Sequence, residues 1–284
     1  MKLFPALDIR FISEAEPAFD LHDRLMAGLD DFHPTAIEES ATVWRVFFDS
    51  QASRDQASAW LRAAGDPRVT CERVEVEDED WARRSQADLQ PVRAGRFVVT
   101  PPWCAAEARE AARAGDLLII VVPSTGFGTG HHASTRLCLD LLQEIPVRGR
   151  TVLDIGTGSG VLAVAAARLG ARAVIAVDND ADALAAAREN LALNEVDVQV
   201  RLDCSDFRTA DTPRADIVVA NLTGKLLCRA AADVVFRANA GGDLIVSGVL
   251  AEEEAVVAAA FGSAGAKLRA AKSEDEWVAL RFAR

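Results

Sequence analysis

Val152-Leu153-Asp154-Ile155-Gly156-Thr157-Gly158-Ser159-Gly160 reads as an apolar strand running into a turn of three glycines, with a helix opening at Val161. Glycine is needed where a ligand lies against the backbone and leaves no room for a Cβ. A dinucleotide fingerprint spaces its glycines G-x-G-x-x-G and sets a pyrophosphate on the helix N-terminus. Here the third glycine is Gly160, and the pattern is D-x-G-x-G-x-G. The turn carries no basic residue, and no second phosphate-binding feature follows it. That favours a nucleoside without phosphates. The next apolar run, Val174-Ile175-Ala176-Val177, ends in Asp178, 22 residues after Gly156. A carboxylate there can accept both hydroxyls of a ribose through charge-assisted hydrogen bonds worth roughly 1.5–3 kcal/mol. Asp180 reads instead as the cap of the following helix.

Outward from this core, helices alternate with strongly apolar strands. The strands are expected at Leu117–Val122, Thr151–Asp154, Ala173–Asp178, Val198–Leu202, Ile217–Ala220 and Leu244–Ser247. Helices fit between them at Ser134–Glu144, Val161–Leu169, Asp180–Leu193, Leu226–Ala238 and Glu252–Phe261. Strands apolar on both faces and alternating with helices predict a Rossmann-like, doubly wound parallel sheet. Ala266–Ala271 and Glu276–Phe282 read as a closing C-terminal hairpin. The first third differs. Alternation at Leu7–Ile12, helical spacing from Ser13 or Glu14 to Gly28, strands at Ile37 and Thr42–Phe48, a helix over Ala52–Ala64 and alternation at Val69–Val76 give the order β-α-β-β-α-β. That is a small ferredoxin-like α+β layout. The expected organisation is a ferredoxin-like domain over 1–77, a linker over 78–103 and an α/β domain over 104–284.

Composition narrows the function classes. The 284-residue chain carries a net charge of −12, which argues against a nucleic-acid binder working through a basic face. The acidity is local: residues 1–80 hold 8 Lys/Arg against 18 Asp/Glu, and residues 81–284 hold 23 against 25. The first domain therefore offers either a solvated acidic face or a docking surface for a basic partner. The five cysteines include no metal-knuckle or redox-pair spacing, so no metal site is expected and the thiols read as reduced. The chain contains no tyrosine, so no phenol can act as acid or base. The N-terminus shows no apolar leader and no run approaches the ~20 residues of a membrane span, which predicts a cytoplasmic protein without membrane attachment.

The glycine turn and Asp178 together resemble the class I S-adenosylmethionine-dependent methyltransferases. Phe127-Gly128-Thr129-Gly130-His131-His132-Ala133-Ser134-Thr135 and Val218-Val219-Ala220-Asn221-Leu222 narrow the resemblance to the ribosomal protein L11 methyltransferases (PrmA type). Asp80-Trp81, Gly95-Arg96, Pro102-Trp103 and Gly241-Gly242 leading to Ser247-Gly248-Val249-Leu250 agree with it. The motifs cover residues 78–284; the earlier part agrees only in size and layout. Pro123-Ser124-Thr125 and Ala133 depart mildly from the family pattern. The resemblance implies S-adenosyl-L-methionine as cofactor, a ribosomal protein as partner and cofactor contacts at Thr135, Gly156, Gly158, Asp178 and Asn221. Thr135 is also an ordinary helix-start residue. Phe127 reads equally as a cofactor contact or as a loop anchor. His131 and His132 read as loop structure, and Cys204-Ser205 lies where adenine would sit.

Methyl transfer from a sulfonium is an in-line displacement, so the enzyme's main task is to align a nucleophile. A lysine amine of reference pKa about 10.4 costs about 4–5 kcal/mol to deprotonate at pH 7, and an α-amine only about 1 kcal/mol. Burial lowers the first cost by desolvation. Asn221 is the expected catalytic residue, orienting the amine through its amide oxygen or neighbouring carbonyls, and the resemblance makes it a cofactor contact as well. A monomer acting on lysine or N-terminal amines of ribosomal protein L11 is the leading expectation. The alternatives are a methyltransferase acting on another protein or a small molecule, and a non-catalytic cofactor-binding assembly factor.

Overall fold

The computed structural model describes residues 3–11, 21, 25, 28–29, 32, 34–39, 42–77, 89–123, 130–208 and 212–284. The chain forms two compact units, Met1–Asp88 and Leu89–Arg284. The division falls inside the stretch 78–103 read from sequence as a linker, and residues from Leu89 onward belong to the second unit.

The first unit contains β1 (Leu3–Phe11), β2 (Pro34–Glu39), β3 (Val43–Phe48), α1 (Gln51–Ala64) and β4 (Val69–Glu77). Its strands run antiparallel in the order β2-β3-β1-β4, the ferredoxin-like order. Alternation sets the faces. Leu7 and Ile9 of β1 pack with Trp44, Val46 and Phe48 of β3 and with Ala57 and Leu61 of α1. Ser50 caps α1 by accepting from the Ser53 amide, and Gly65 ends it in the left-handed region. Of the helix expected to reach Gly28, the described residues Leu21, Leu25 and Gly28 are helical; 12–20 lie outside the described residues.

The second unit begins with β5 (Val92–Ala94), β6 (Phe97–Thr100), α2 (Ala105–Glu110) and β7 (Leu117–Ile120). It continues with α3 (Ala133–Gln143), β8 (Thr151–Ile155), α4 (Val161–Arg168), β9 (Ala173–Asp178), α5 (Ala181–Leu193) and β10 (Val200–Cys204). It closes with β11 (Ala215–Asn221), α6 (Gly224–Arg237), β12 (Ala238–Leu250), α7 (Glu254–Ser263), β13 (Lys267–Glu274) and β14 (Trp277–Ala283). Seven strands form one sheet in the order β10-β9-β8-β11-β12-β14-β13. The first five are parallel, and β14 enters antiparallel beside β12. Alternate residues feed two cores. Val152, Ile217 and Val219 face α3 and α4, and Leu153, Val218 and Ala220 face α6 and α7.

Two expectations need correction. Leu117–Val122 is not a strand of the large sheet: β7 pairs in parallel with β6, in a separate sheet of order β5-β6-β7. An apolar run reports burial on both faces but not which edge it bonds to. The strand expected from Val198 starts at Val200, with Val198 95% exposed. Among the described residues, no helix is long and apolar enough to cross a membrane.

The sheet order reverses between β8 and β11, because the chain builds outward from β8 in one direction and from β11 in the other. In open α/β sheets, ligands bind in the crevice beyond the carboxyl ends of strands at such a point.

Candidate active site

The sheet register brings the expected residues to one edge. Ile155 pairs with Val177 on one side and Ala220 on the other, so Gly156, Asp178 and Asn221 leave three adjacent strands at the same level. Asn221 in turn pairs with Ser247. Together they open on a cavity of about 550 Å³, within the range that encloses a drug-sized ligand.

The glycine turn is shaped for close approach. Gly156, Gly158 and Gly160 have φ of 70°, 54° and 81°, values that side-chain-bearing residues avoid. A Cβ on Gly156 would lie 2.5 Å from the Leu222 side chain, which also lines the cavity. Asp178 is built into the turn: its carboxylate accepts from the Gly158 amide at 2.9 Å and from the Asp180 amide at 3.1 Å. Asp180 caps α5 through the Asp182 amide, as expected. Behind the turn, Asp154 is 1% exposed and accepts the Thr157 hydroxyl at 2.7 Å. Burial, with a smaller contribution from the Asp178 charge, pushes its carboxyl up to about 7. Burial likewise raises the Cys138 thiol, with the charge of Asp154 adding to it.

The other wall comes from the start of α3. His132 caps this helix: its Nδ1 accepts from the Ser134 amide, which assigns the ring proton to Nε2. The His132 ring meets Trp277 edge-on, with centroids 4.5 Å apart, and both rings line the cavity. The His131 Nε2 lies 2.8 Å from the Gln90 carbonyl, to which it can donate. Arg136 donates to the His131 carbonyl and pairs with Glu274, tying this segment to the C-terminal hairpin. Thr135 is 1% exposed, and the Asn221 amide donates to its hydroxyl at 3.2 Å.

Thr135, Gly156, Gly158, Asp178 and Asn221 therefore line one cavity. Ser205 joins them, its amide donating to the Asp178 carbonyl at 2.9 Å, whereas Cys204 is exposed. Phe127 and Asp80-Trp81 lie outside the described residues. Sequence reading missed Leu222, Trp277 and Phe207 as lining residues; Leu222 adjoins the Asn221 motif, and nothing local marks the other two.

The model of the family described as ribosomal protein L11 methyltransferase (PrmA) matches residues 22–284. The chain belongs to the ribosomal protein L11 methyltransferase family. It is 41% identical over 276 residues to the ribosomal protein L11 methyltransferase of Geobacter sulfurreducens, a match covering 89% of this chain and 86% of that one. The namesake of Geotalea uraniireducens is also 41% identical, over 221 residues, covering 73% of this chain and 68% of that protein. Among solved structures, the ribosomal protein L11 methylase of Lactobacillus delbrueckii subsp. bulgaricus aligns with a TM-score of 0.63 and 26% identity. That alignment covers 69% of this chain and 99% of the other. Membership of the PrmA family makes this chain a methyltransferase that uses S-adenosylmethionine.

The cavity suits that group. It offers a glycine cradle that a Cβ would fill, one carboxylate on the strand beside the cradle, and no basic side chain in the turn where a phosphate would need one.

Proposed function

We propose that this chain methylates amines of ribosomal protein L11, with S-adenosylmethionine bound along the carboxyl edge of the large sheet. The carrying observation is the convergence of Thr135, Gly156, Asp178 and Asn221 on one cavity at the point where the strand order reverses. In this reading Gly156 and Gly158 give backbone contact to the cofactor, and Asp178 accepts the ribose hydroxyls with the lone pairs its two amide donors leave free. Thr135 and Phe127 complete the cofactor's surroundings. The bound cofactor supplies an electrophilic methyl on a sulfonium whose leaving group is neutral.

The chain's own work is to deliver a neutral amine. The acids among the lining residues, Asp178, Asp180 and Asp206, sit at the ends of β9 and β10. The lining residues Thr135, Asn221, Leu222, Gly248 and Trp277 carry no charge themselves. An amine entering among them loses hydration with no carboxylate to hold its proton, and desolvation favours the neutral form. Asn221, fixed through Thr135, then orients the nitrogen by its amide oxygen. Solvent carries the proton away.

The acidic first unit holds the basic protein substrate by complementary charge. The enzyme works in the cytoplasm as a monomer, without contacting nucleic acid. Incubating the protein with isotopically labelled S-adenosylmethionine and isolated large-subunit ribosomal proteins, then mapping the label, tests this. Label on amines of L11 is the expected result. Label confined to another protein or to ribosomal RNA would refute it.

A further inference from the structure

Two fully buried asparagines, Asn190 in α5 and Asn194 at its C-terminal cap, lie one turn apart behind the cavity rather than in it. The Asn194 amide oxygen accepts from the Ile120 amide at 2.9 Å, and its nitrogen donates to the Ile120 carbonyl at 2.6 Å. The Asn190 oxygen accepts from the Val122 amide at 2.8 Å. Residues 120 and 122 present their backbone groups to the same side of the extended chain, while the Val121 amide points the other way, to the Thr100 carbonyl. The two carboxamides thus stand where a neighbouring strand would stand, along the edge of β7 that β6 leaves open. This satisfies groups whose burial without partners would be costly.

Asn190 does more than Asn194. Its nitrogen donates to the Ser159 carbonyl at 2.8 Å, and Ser159 belongs to the glycine turn and lines the cavity. One side chain therefore spans two backbones, the cofactor turn and the end of β7. From Val122 the chain runs through 123–132 to α3, which carries Thr135. α5 is itself seated on the turn, since a Cβ on Gly160 would lie 3.2 Å from that of Ala187. Its capping residue, Asp180, lies two positions after Asp178.

We propose that Asn190 is a positioning residue that locks the glycine turn to the strand end from which the Thr135 segment departs, so that cofactor binding firms the amine side of the site. Asn194 makes the same kind of bond to β7 without touching the turn and serves as the matched comparison. The inference rests on the methyltransferase reading of the cavity.

Amide hydrogen exchange on the unaltered full chain, with and without S-adenosylmethionine, tests it first. The cofactor is expected to slow exchange at Val122 by about fivefold or more, the lower end of ordinary coupling between sites. Calorimetric titration of Asn190→Ala and Asn194→Ala tests it second. Asn190→Ala is expected to lose about fivefold or more in cofactor affinity and to abolish the response at Val122, whereas Asn194→Ala keeps both. If Asn190→Ala does not fold, the exchange response in the unaltered chain decides alone. An unresponsive Val122, or equal losses in the two variants, would overturn the inference while cofactor binding stands. Failure of the unaltered chain to bind the cofactor would overturn the methyltransferase reading, and this inference with it.

Discussion

The Asn221 amide nitrogen donates to the Thr135 hydroxyl at 3.2 Å, joining the end of β11 to the first turn of α3 across 86 residues of sequence. Either residue alone has an ordinary explanation, a strand end or a helix start. Their bond makes them parts of one wall, and it leaves the Asn221 oxygen as the free acceptor of the carboxamide. Thr135→Val removes the hydroxyl and keeps the volume. A net hydrogen bond is worth roughly 0.5–1.5 kcal/mol, so kcat/KM on the protein substrate should fall about three- to tenfold. Thermal unfolding should show a loss of no more than about 1.5 kcal/mol. Unchanged kcat/KM would remove Thr135 from the account.

Gly248 faces the same wall. Its φ is +79°, and a Cβ there would meet the Leu222 carbonyl oxygen at 2.4 Å and the Asn221 Oδ1 at 3.0 Å. The first of these neighbours is backbone and cannot swing aside. Gly248→Ala should cost about 1–3 kcal/mol of stability and reduce turnover at least tenfold, because Leu222 and Asn221 must shift. Gly149→Ala is the comparison: φ is +77°, but nothing lies within 4 Å of the added Cβ. That variant should pay the backbone strain and keep its turnover. Similar turnover in the two variants, measured at saturating cofactor, would contradict this.

Buried Asp154 makes stability depend on pH. Its carboxyl titrates near 4 in the unfolded chain and is pushed up to about 7 in the fold, foremost by burial. A folded value above the unfolded one means that the native state holds the proton longer. Its contribution to stability is therefore complete below about pH 4 and is lost as pH rises to about 7. Asp216, at the other end of the sheet, has the opposite sign. The Thr151 amide, the Asn239 side chain and the Thr151 hydroxyl hold it at about 2, so its contribution is lost as pH falls from about 4 towards 2. Asp154→Asn should flatten the decline between pH 4 and 7 and leave the acid limb alone. Denaturant unfolding of both proteins across that range measures it; parallel curves would show that Asp154 does not titrate there.

The sequence disclosed the cavity's floor better than its walls. Glycines at 156, 158 and 160 and the acid at 178 are legible because positive φ in a tight turn demands glycine and a lone acid stands out at the end of an apolar run. Helix and strand positions followed from apolar spacing, as at Ala173–Asp178, where the expected strand and β9 coincide. Leu117–Ile120 was misplaced because its composition resembles a central strand, and only hydrogen bonding shows that β6 is its neighbour. β12 was expected at Leu244–Ser247 yet extends over Ala238–Leu250, since Gly241-Gly242 hides its first part. Trp277, Asn190 and Asn194 carried no local signal. An asparagine on a helix is usually solvated, and its burial at 190 and 194 reflects a strand edge some 70 positions away in sequence.

The account depends most on Asp178 gripping the cofactor's ribose, and calorimetric titration with S-adenosylmethionine tests that directly. The unaltered chain should bind one equivalent, and Asp178→Ala, if it retains its fold by circular dichroism, should bind roughly 10- to 100-fold more weakly, in line with losing a charge-assisted hydrogen-bond pair. No heat of binding in the unaltered chain, or equal affinity in a folded Asp178→Ala protein, would contradict it.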